Sequence, residues 1–365
     1  MKRAENRKEI TRKLLTEHYR RYPKLDIEDM FKYIFQSAFG CEHLVSDGDA
    51  VLSYIRREYE AVPGDAVRYT EPLDGDYSRV YLSHLNYGLS PDTLARIFCL
   101  SAKKEDGLSA LEEKIQSARE LIEEGVIALD LAAFEDKLSS WRELAYPAVH
   151  HSDSFRREYH PAYRVVSKRY SEILPLLAEI DRLLVSGNVT VAIEGGSASG
   201  KSTLADILSE VYGCNVFHMD DFFLRPEQRT SERLSEIGGN IDRERFAKEV
   251  LEPLKNGGAV TYRPFDCGTQ TLGESITVSP NRLTVIEGVY SMHPAFGDCY
   301  DLRVFLDVSA ECRRDRILKR NSERLAQRFF DEWIPLENAY FAGAAVKERC
   351  TLVMQVGEKS AVEDA

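Results

Sequence analysis

Six residues with no side chain larger than a hydroxymethyl group, Gly195-Gly196-Ser197-Ala198-Ser199-Gly200, stand directly before Lys201-Ser202-Thr203. The pattern is GxxxxGK[ST], and its chemistry is phosphate binding. Small residues let successive backbone N–H groups curl around phosphate oxygens, and a helix beginning at the lysine adds its positive end. In this role Lys201 neutralises the β and γ phosphates, Ser202 ligates magnesium and Thr203 enters the first helical turn. ATP and Mg²⁺ are the expected cofactors.

Three further groups of residues carry chemistry that a bound nucleotide could use. Phe217-His218-Met219-Asp220-Asp221-Phe222-Phe223 presents two carboxylates after an apolar run. One of them can take the proton of an attacking hydroxyl, while a solvated turn or a helix cap is the alternative. Leu283-Thr284-Val285-Ile286-Glu287-Gly288 places an acid after a buried run, where a phosphate-loop protein holds magnesium directly or through water. Arg313, Arg316, Arg320, Arg324 and Arg328 recur every three or four residues, along one helical face or its continuation as a lid. A solvated basic face is the competing reading for two or three of the five.

Such groups need a scaffold that gathers distant segments. From Val189 onward, short β-branched runs alternate with helical periods, as in a parallel sheet covered on both faces. The expected strands are Val189 to Ile193, Asn215 to His218, Leu283 to Ile286, Leu302 to Leu306 and Thr351 to Gln355. The fold class is α/β, a P-loop NTPase fold over residues 187–357, preceded by a mostly α-helical domain (1–186) and followed by a tail (358–365). In the first half, helical spacing covers Ile27 to Phe39, Ala50 to Tyr59, Thr93 to Ala102, Leu108 to Leu121 and Leu131 to Leu144. Ser90 is a capping oxygen with Pro91 in the first turn. Arg79-Val80-Tyr81-Leu82 is the single strand expected there. Tyr146 to Pro161 reads as a loop, and Ala162 to Leu184 as a helix ended by Ser186-Gly187-Asn188.

The composition bounds the partners. The chain has 365 residues, 43% of them hydrophobic, enough for a core in each of two domains. A net charge of −12 opposes a general nucleic-acid binder, which needs a basic surface to displace counterions. No stretch approaches the roughly 18 apolar residues of a membrane span, so no membrane partner is expected. The charged start MKRAENRKEITRKLL has no apolar signal core, and the 7 cysteines form no CxxC pair. Both features point to reduced thiols in the cytoplasm.

GGSASGKST with MDDFF resembles the uridine kinase, nicotinamide riboside kinase and phosphoribulokinase superfamily of P-loop kinases, over roughly residues 187 to 357. The resemblance implies that Asp220 is the general base and that Asp221 supports the metal or the substrate. It implies that Asp242, in Gly239-Asn240-Ile241-Asp242, grips a ribose diol; a cap for the helix from Arg243 is the competing reading. Phe265, Asp266 and Gln270 fall on the segment that contacts the base in uridine kinases. Here Phe265 replaces a tyrosine, and Cys267-Gly268-Thr269-Gln270 lacks a histidine. By the same resemblance Arg320 and Arg324, in LKRNSER, are the lid arginines that close over the phosphates.

The function expected is ATP-dependent transfer of a γ-phosphoryl group to a small-molecule hydroxyl acceptor, nucleoside-like in the leading reading. Nicotinamide riboside, pantothenate and sugar phosphates are the other acceptors, and a nucleotide-dependent switch that binds a protein partner is the reading from another class. Residues 1–186 hold six of the eight histidines: His18, His43, His84, His150, His151 and His160. His150-His151-Ser152-Asp153, with His160, Tyr146, Phe155, Tyr159 and Tyr163, forms a candidate polar ligand pocket or metal site. Histidines bonded within a loop-rich core are the plainer reading. Ligand sensing, homo-oligomer formation and a second activity are the three tasks left open for this half.

Overall fold

The computed structural model describes residues 2–41, 48–102 and 107–356. Glu42, His43 and the 358–365 tail lie outside the described residues. The chain divides into two compact units, one up to Asp181 and one from Arg182 onward.

The first unit packs helices around a small sheet. The helix Ile27–Phe39 starts where Asp26 accepts hydrogen bonds from the Glu28 and Asp29 backbones and Asp29 reciprocates, and it stops at Gly40 with φ of 64°. The helix Pro91–Ser101 begins at Ser90, whose hydroxyl accepts from the Thr93 backbone at 3.0 Å. Two further helices, Leu108–Glu123 and Leu131–Glu143, bury Leu111, Ile115, Phe134 and Trp141. The charged start also forms a helix, Lys2–Arg21.

Three strands, not one, make an antiparallel sheet in the order β1-β2-β3: β1 (Thr70–Pro72), β2 (Tyr77–Tyr81) and β3 (Tyr163–Ser167). Thr70 pairs with Val80, and Tyr77 with Ser167. The expected helix from Ala162 to Leu184 therefore opens as a strand and becomes helical at Lys168–Ser171 and Leu174–Leu184. Tyr163, Val166 and Tyr170 are spaced for a helix, but pairing with β2 through backbone hydrogen bonds prevails over that local pattern. The expected loop from Tyr146 to Pro161 contains the short helix Asp153–Tyr159, capped by Ser152.

The second unit is built on a five-stranded parallel sheet. Its strands are β4 (Val189–Glu194), β5 (Asn215–His218), β10 (Leu283–Glu287), β11 (Leu302–Asp307) and β12 (Leu352–Gln355), in the order β12-β11-β4-β10-β5. Two small hairpins intervene in the chain, pairing β6 (Val260–Tyr262) with β9 (Ile276–Val278), and β7 (Phe265–Asp266) with β8 (Thr271–Leu272). Every residue of β10 is buried, as expected for a strand with neighbours in the sheet and layers on both faces. The core gathers Ala192, Phe217, Ile286 and Phe305 from the sheet with Phe222, Phe246 and Tyr340. No helix among the described residues is long and apolar enough to cross a membrane.

Candidate active site

β4 is the central strand, flanked by β11 and β10, and the glycine-rich loop leaves its C-terminal end to enter the helix Lys201–Tyr212. Left-handed backbone is needed at Gly195, Ala198 and Gly200, with φ of 144°, 62° and 103°. A Cβ on Gly195 would stand 2.8 Å from the Leu306 carbonyl oxygen, so only glycine fits there.

An anion cradle needs its N–H groups turned inward and its carbonyls turned away. The carbonyls of this loop are taken by cations. Lys201 Nζ donates to Gly195 O at 2.9 Å and Gly196 O at 3.2 Å. Arg313 Nε donates to Ser197 O at 2.9 Å, and Arg316 Nη1 to Ala198 O at 3.0 Å and Ser199 O at 3.2 Å. Glu337, on the helix Ile334–Gly343, accepts from the Ser197 backbone at 2.9 Å, from the Ser197 hydroxyl, and from Arg313 at 3.1 Å.

The carboxylates lie at the ends of the two strands that continue the sheet beyond β4. Glu287 ends β10, is 5% exposed, and accepts from Ser202 Oγ at 3.0 Å. His218, the last residue of β5, contacts the same oxygen through Nδ1 at 2.6 Å, and this hydrogen bond raises the imidazole pKa above its ordinary value. Asp220 follows at once in the turn Met219–Phe222. Its side chain is open to solvent on one side, yet the protein crowded around it raises its pKa. Lys201 and His218 oppose that rise, while Glu287 and Asp221 add to it. Asp221 is likewise raised by burial, and Tyr262 donates its hydroxyl to Asp221 Oδ2 at 3.2 Å.

The residues named for the acceptor side sit less uniformly. Asp242 is 3% exposed and caps its helix, Oδ1 accepting from the Arg245 backbone at 3.1 Å and Oδ2 from Gln228 at 2.9 Å. Both oxygens are thus engaged within the protein. Phe265 is buried, with the Arg229 guanidinium 5.8 Å from its ring centre. Asp266 and Gln270 shape the turn between β7 and β8: Asp266 Oδ1 accepts from the Gly268 backbone at 2.7 Å, and Gln270 donates its amide to Cys267 O at 2.6 Å.

The arginine series divides. The helix Ala310–Arg320 ends at Asn321, and a new helix, Glu323–Arg328, is capped by Ser322. Arg313 and Arg316 reach the glycine-rich loop, whereas Arg320 and Arg324 are exposed and have no ion-pair partner among the described residues. Sequence reasoning also missed Glu194, His218 and Glu337. Glu194 is fully buried at the end of β4, accepting from the Met292 backbone at 2.9 Å and Tyr340 at 2.7 Å, and burial pushes its pKa up to about 7. An acid closing the apolar run Val189 to Ile193 was its one visible signal. In the first unit, His151 bonds to Asp29 and Tyr163, whereas neither His150 nor His160 joins that cluster.

Among the described residues no group of three or more His, Cys, Asp and Glu side chains is placed to hold a metal. A serine hydroxyl and a carboxylate 3.0 Å apart nevertheless fit Mg²⁺, which takes most of its ligands from water and phosphate oxygens.

No family model matches the chain. A uridine kinase of Chlamydia pneumoniae is 29% identical over 140 residues, which are 36% of this chain and 61% of that protein. A phosphoribulokinase of Synechocystis sp. is 25% identical over 154 residues, 40% of this chain and 44% of that one. The chain thus spans about three-fifths, or less, of the length of these curated relatives. Among solved structures, a possible uridine kinase from Bacillus stearothermophilus overlays 49% of this chain and 99% of that one, at 24% identity and a TM-score of 0.38.

Proposed function

We propose that this chain, whose second half belongs to the uridine kinase and phosphoribulokinase superfamily of P-loop kinases, transfers the γ-phosphoryl group of ATP to a hydroxyl of a nucleoside-like small molecule. The observation that carries this reading is the meeting of Lys201, Glu287 and Asp220 beyond the C-terminal ends of three neighbouring strands, β4, β10 and β5. Ligands of open α/β sheets bind at such strand ends.

Lys201 exchanges its two loop carbonyls for phosphate oxygens, and backbone N–H groups of the loop and of the helix start at Lys201, other than those of Ser197 and Ser199, which are bonded to Glu337 and to the Gly196 carbonyl, hold the remaining phosphate oxygens. Ser202 and Glu287 hold Mg²⁺, which when bound neutralises charge on the transferred group. Asp220 takes the proton of the acceptor hydroxyl; its raised pKa makes it a stronger base than an ordinary aspartate. Asp221 and Phe265 line the acceptor side. Asp242 acts there through Gln228 and the helix it caps. Arg320 and Arg324, exposed in the resting chain, close over the phosphates and exclude water.

The test is Mg²⁺-dependent ADP formation against a panel of nucleosides, nicotinamide riboside, pantothenate and sugars, with Asp220→Asn run alongside. Acceptor-stimulated ADP formation that disappears in the variant supports the reading and names the acceptor. ATP binding that no acceptor converts into turnover overturns it.

A further inference from the structure

The carboxylate that ends β10 meets two hydrogen-bond donors among the described residues, and both bonds fall on one oxygen. Ser202 Oγ lies 3.0 Å from Glu287 Oε1, and His218 Nδ1 lies 2.6 Å from it. The other oxygen, Oε2, accepts no hydrogen bond among the described residues. The phosphate-transfer reading gives Ser202 and Glu287 a role and His218 none.

The sheet itself makes the contact between acid and imidazole. β5 and β10 are parallel neighbours, and their last residues, His218 and Glu287, stand in register. Paired residues of neighbouring strands point to the same face, so the two side chains meet without help from a loop. An ionised carboxylate only accepts, so Nδ1 of His218 carries the hydrogen it shares with Glu287. Glu287 is buried, whereas the His218 side chain is 42% exposed, and little core packing depends on the imidazole.

The two strand ends are also held together by their backbones. Gly288 follows Glu287 with φ of 136°, and a Cβ there would stand 2.7 Å from Met219 Cβ. Strand pairing and this close approach fix the start of the turn Met219–Phe222, which bears Asp220. The imidazole is left with one task, the orientation of the carboxylate. Pinned at Oε1 from two sides, Glu287 has Oε2 left to present.

We infer that His218 is a positioning residue for the metal: it holds Glu287 by Oε1 and so leaves Oε2 for Mg²⁺, directly or through water. This inference rests on the phosphate-transfer reading and adds a residue to it. Loss of a hydrogen-bond partner of a metal-binding side chain costs about 10- to 100-fold in metal affinity.

The experiment uses the full chain and reads binding, not turnover. ADP is titrated by calorimetry without metal and with Mn²⁺, and Mn²⁺ held by the protein–ADP complex is measured by electron paramagnetic resonance. In the parent chain Mn²⁺ should tighten ADP binding. His218→Ala should bind metal-free ADP as the parent does, yet hold Mn²⁺ about tenfold or more less tightly in the complex. His218→Asn, whose amide N–H can take the place of Nδ1–H, should recover most of that loss. An imidazole that merely satisfies a buried acid would lower the melting temperature when removed and leave Mn²⁺ affinity at the parent value. That result overturns the inference and leaves the phosphate-transfer reading standing. An asparagine variant no better than alanine, or an equal loss of metal-free ADP binding, likewise overturns it. ADP binding that ignores Mn²⁺ in the parent chain overturns both.

Discussion

Ser197 and Glu337, 140 residues apart, are joined through both oxygens of one carboxylate: Glu337 accepts from the Ser197 backbone N–H and from its hydroxyl. The same carboxylate holds Arg313, whose guanidinium lies against Gly196 so closely that a Cβ there would meet it at 2.2 Å. The outer wall of the phosphate loop is thereby tied to the helix Ile334–Gly343. Glu337→Ala removes the tie and leaves a largely buried arginine without its acid. Weaker ATP binding, by about tenfold, and a lower melting temperature are expected, because breaking a buried pair leaves one charge unmatched. Calorimetric titration and a thermal melt check both; unchanged ATP affinity would mean that the loop holds its shape without the tie.

Asp220→Asn keeps the size of the side chain and removes its basicity. ATP binding is expected to stay within about twofold, while turnover falls by roughly 10² to 10⁴, the usual range for a lost general base. Separate measurement of nucleotide affinity and turnover distinguishes this from damage to the nucleotide site, which would move both.

Lys201→Ala acts on a different quantity. Its resting partners are the carbonyls of Gly195 and Gly196, not core groups, so the melting temperature should change little. ATP affinity and turnover should both collapse, since no other lysine projects from the loop. A variant that still turns over at near the parent rate would remove Lys201 from the proposed chemistry.

Glu194 predicts a pH effect on stability. Its pKa rises from an ordinary 4.5 to about 7 on folding, so the folded state binds a proton more tightly than the unfolded one. The resulting stabilisation is present below 4.5 and declines as pH rises toward about 7, amounting to about 3 kcal/mol at most. Urea unfolding at a series of pH values should show this slope in the parent chain and lose it in Glu194→Gln.

Arg79→Met tests the core of the first unit. The substitution leaves Glu71 and Gln36 without the guanidinium that joins them, and loss of one member of a buried ion pair costs about 3 to 5 kcal/mol. Urea unfolding followed at the first unit's tryptophan, Trp141, reads that loss; Trp333 can be replaced by Phe to isolate the signal.

What the sequence reveals depends on whether a signal is local. The helix Ile27–Phe39 carries its cap at Asp26 and its stop at Gly40, and the five parallel strands are apolar runs bounded by turns, so all were readable. β1 is Thr-Glu-Pro, with no strand pattern of its own; it exists because β2 pairs with it. β3 was hidden for the same reason. At the site, the glycine-rich loop and the acids Asp220 and Glu287 stand out because each ends or follows a strand. Arg313 and Arg316 could not be told from Arg320 and Arg324 by spacing, because what separates them is a helix end at Asn321 and the position of the loop. Glu337 and Glu194 draw their meaning from partners far away in the chain, to which periodicity is blind.

The central position of β4 has a consequence for the order of assembly. Both its neighbours are encoded later, since Leu283 pairs with Val189 and Leu302 with Val191. A growing chain makes the glycine-rich loop first, then the strand bearing Glu287, then β11 and its arginines, and Glu337 near the end. Because loop closure over such separations must precede the contacts that reward it, nascent chains that stop short of the helix Ile334–Gly343 carry the phosphate motif without the clamp that shapes it. On the proposed reading, capture of ATP is thus a property the polypeptide acquires late in its synthesis, once the helix Ile334–Gly343 has been made.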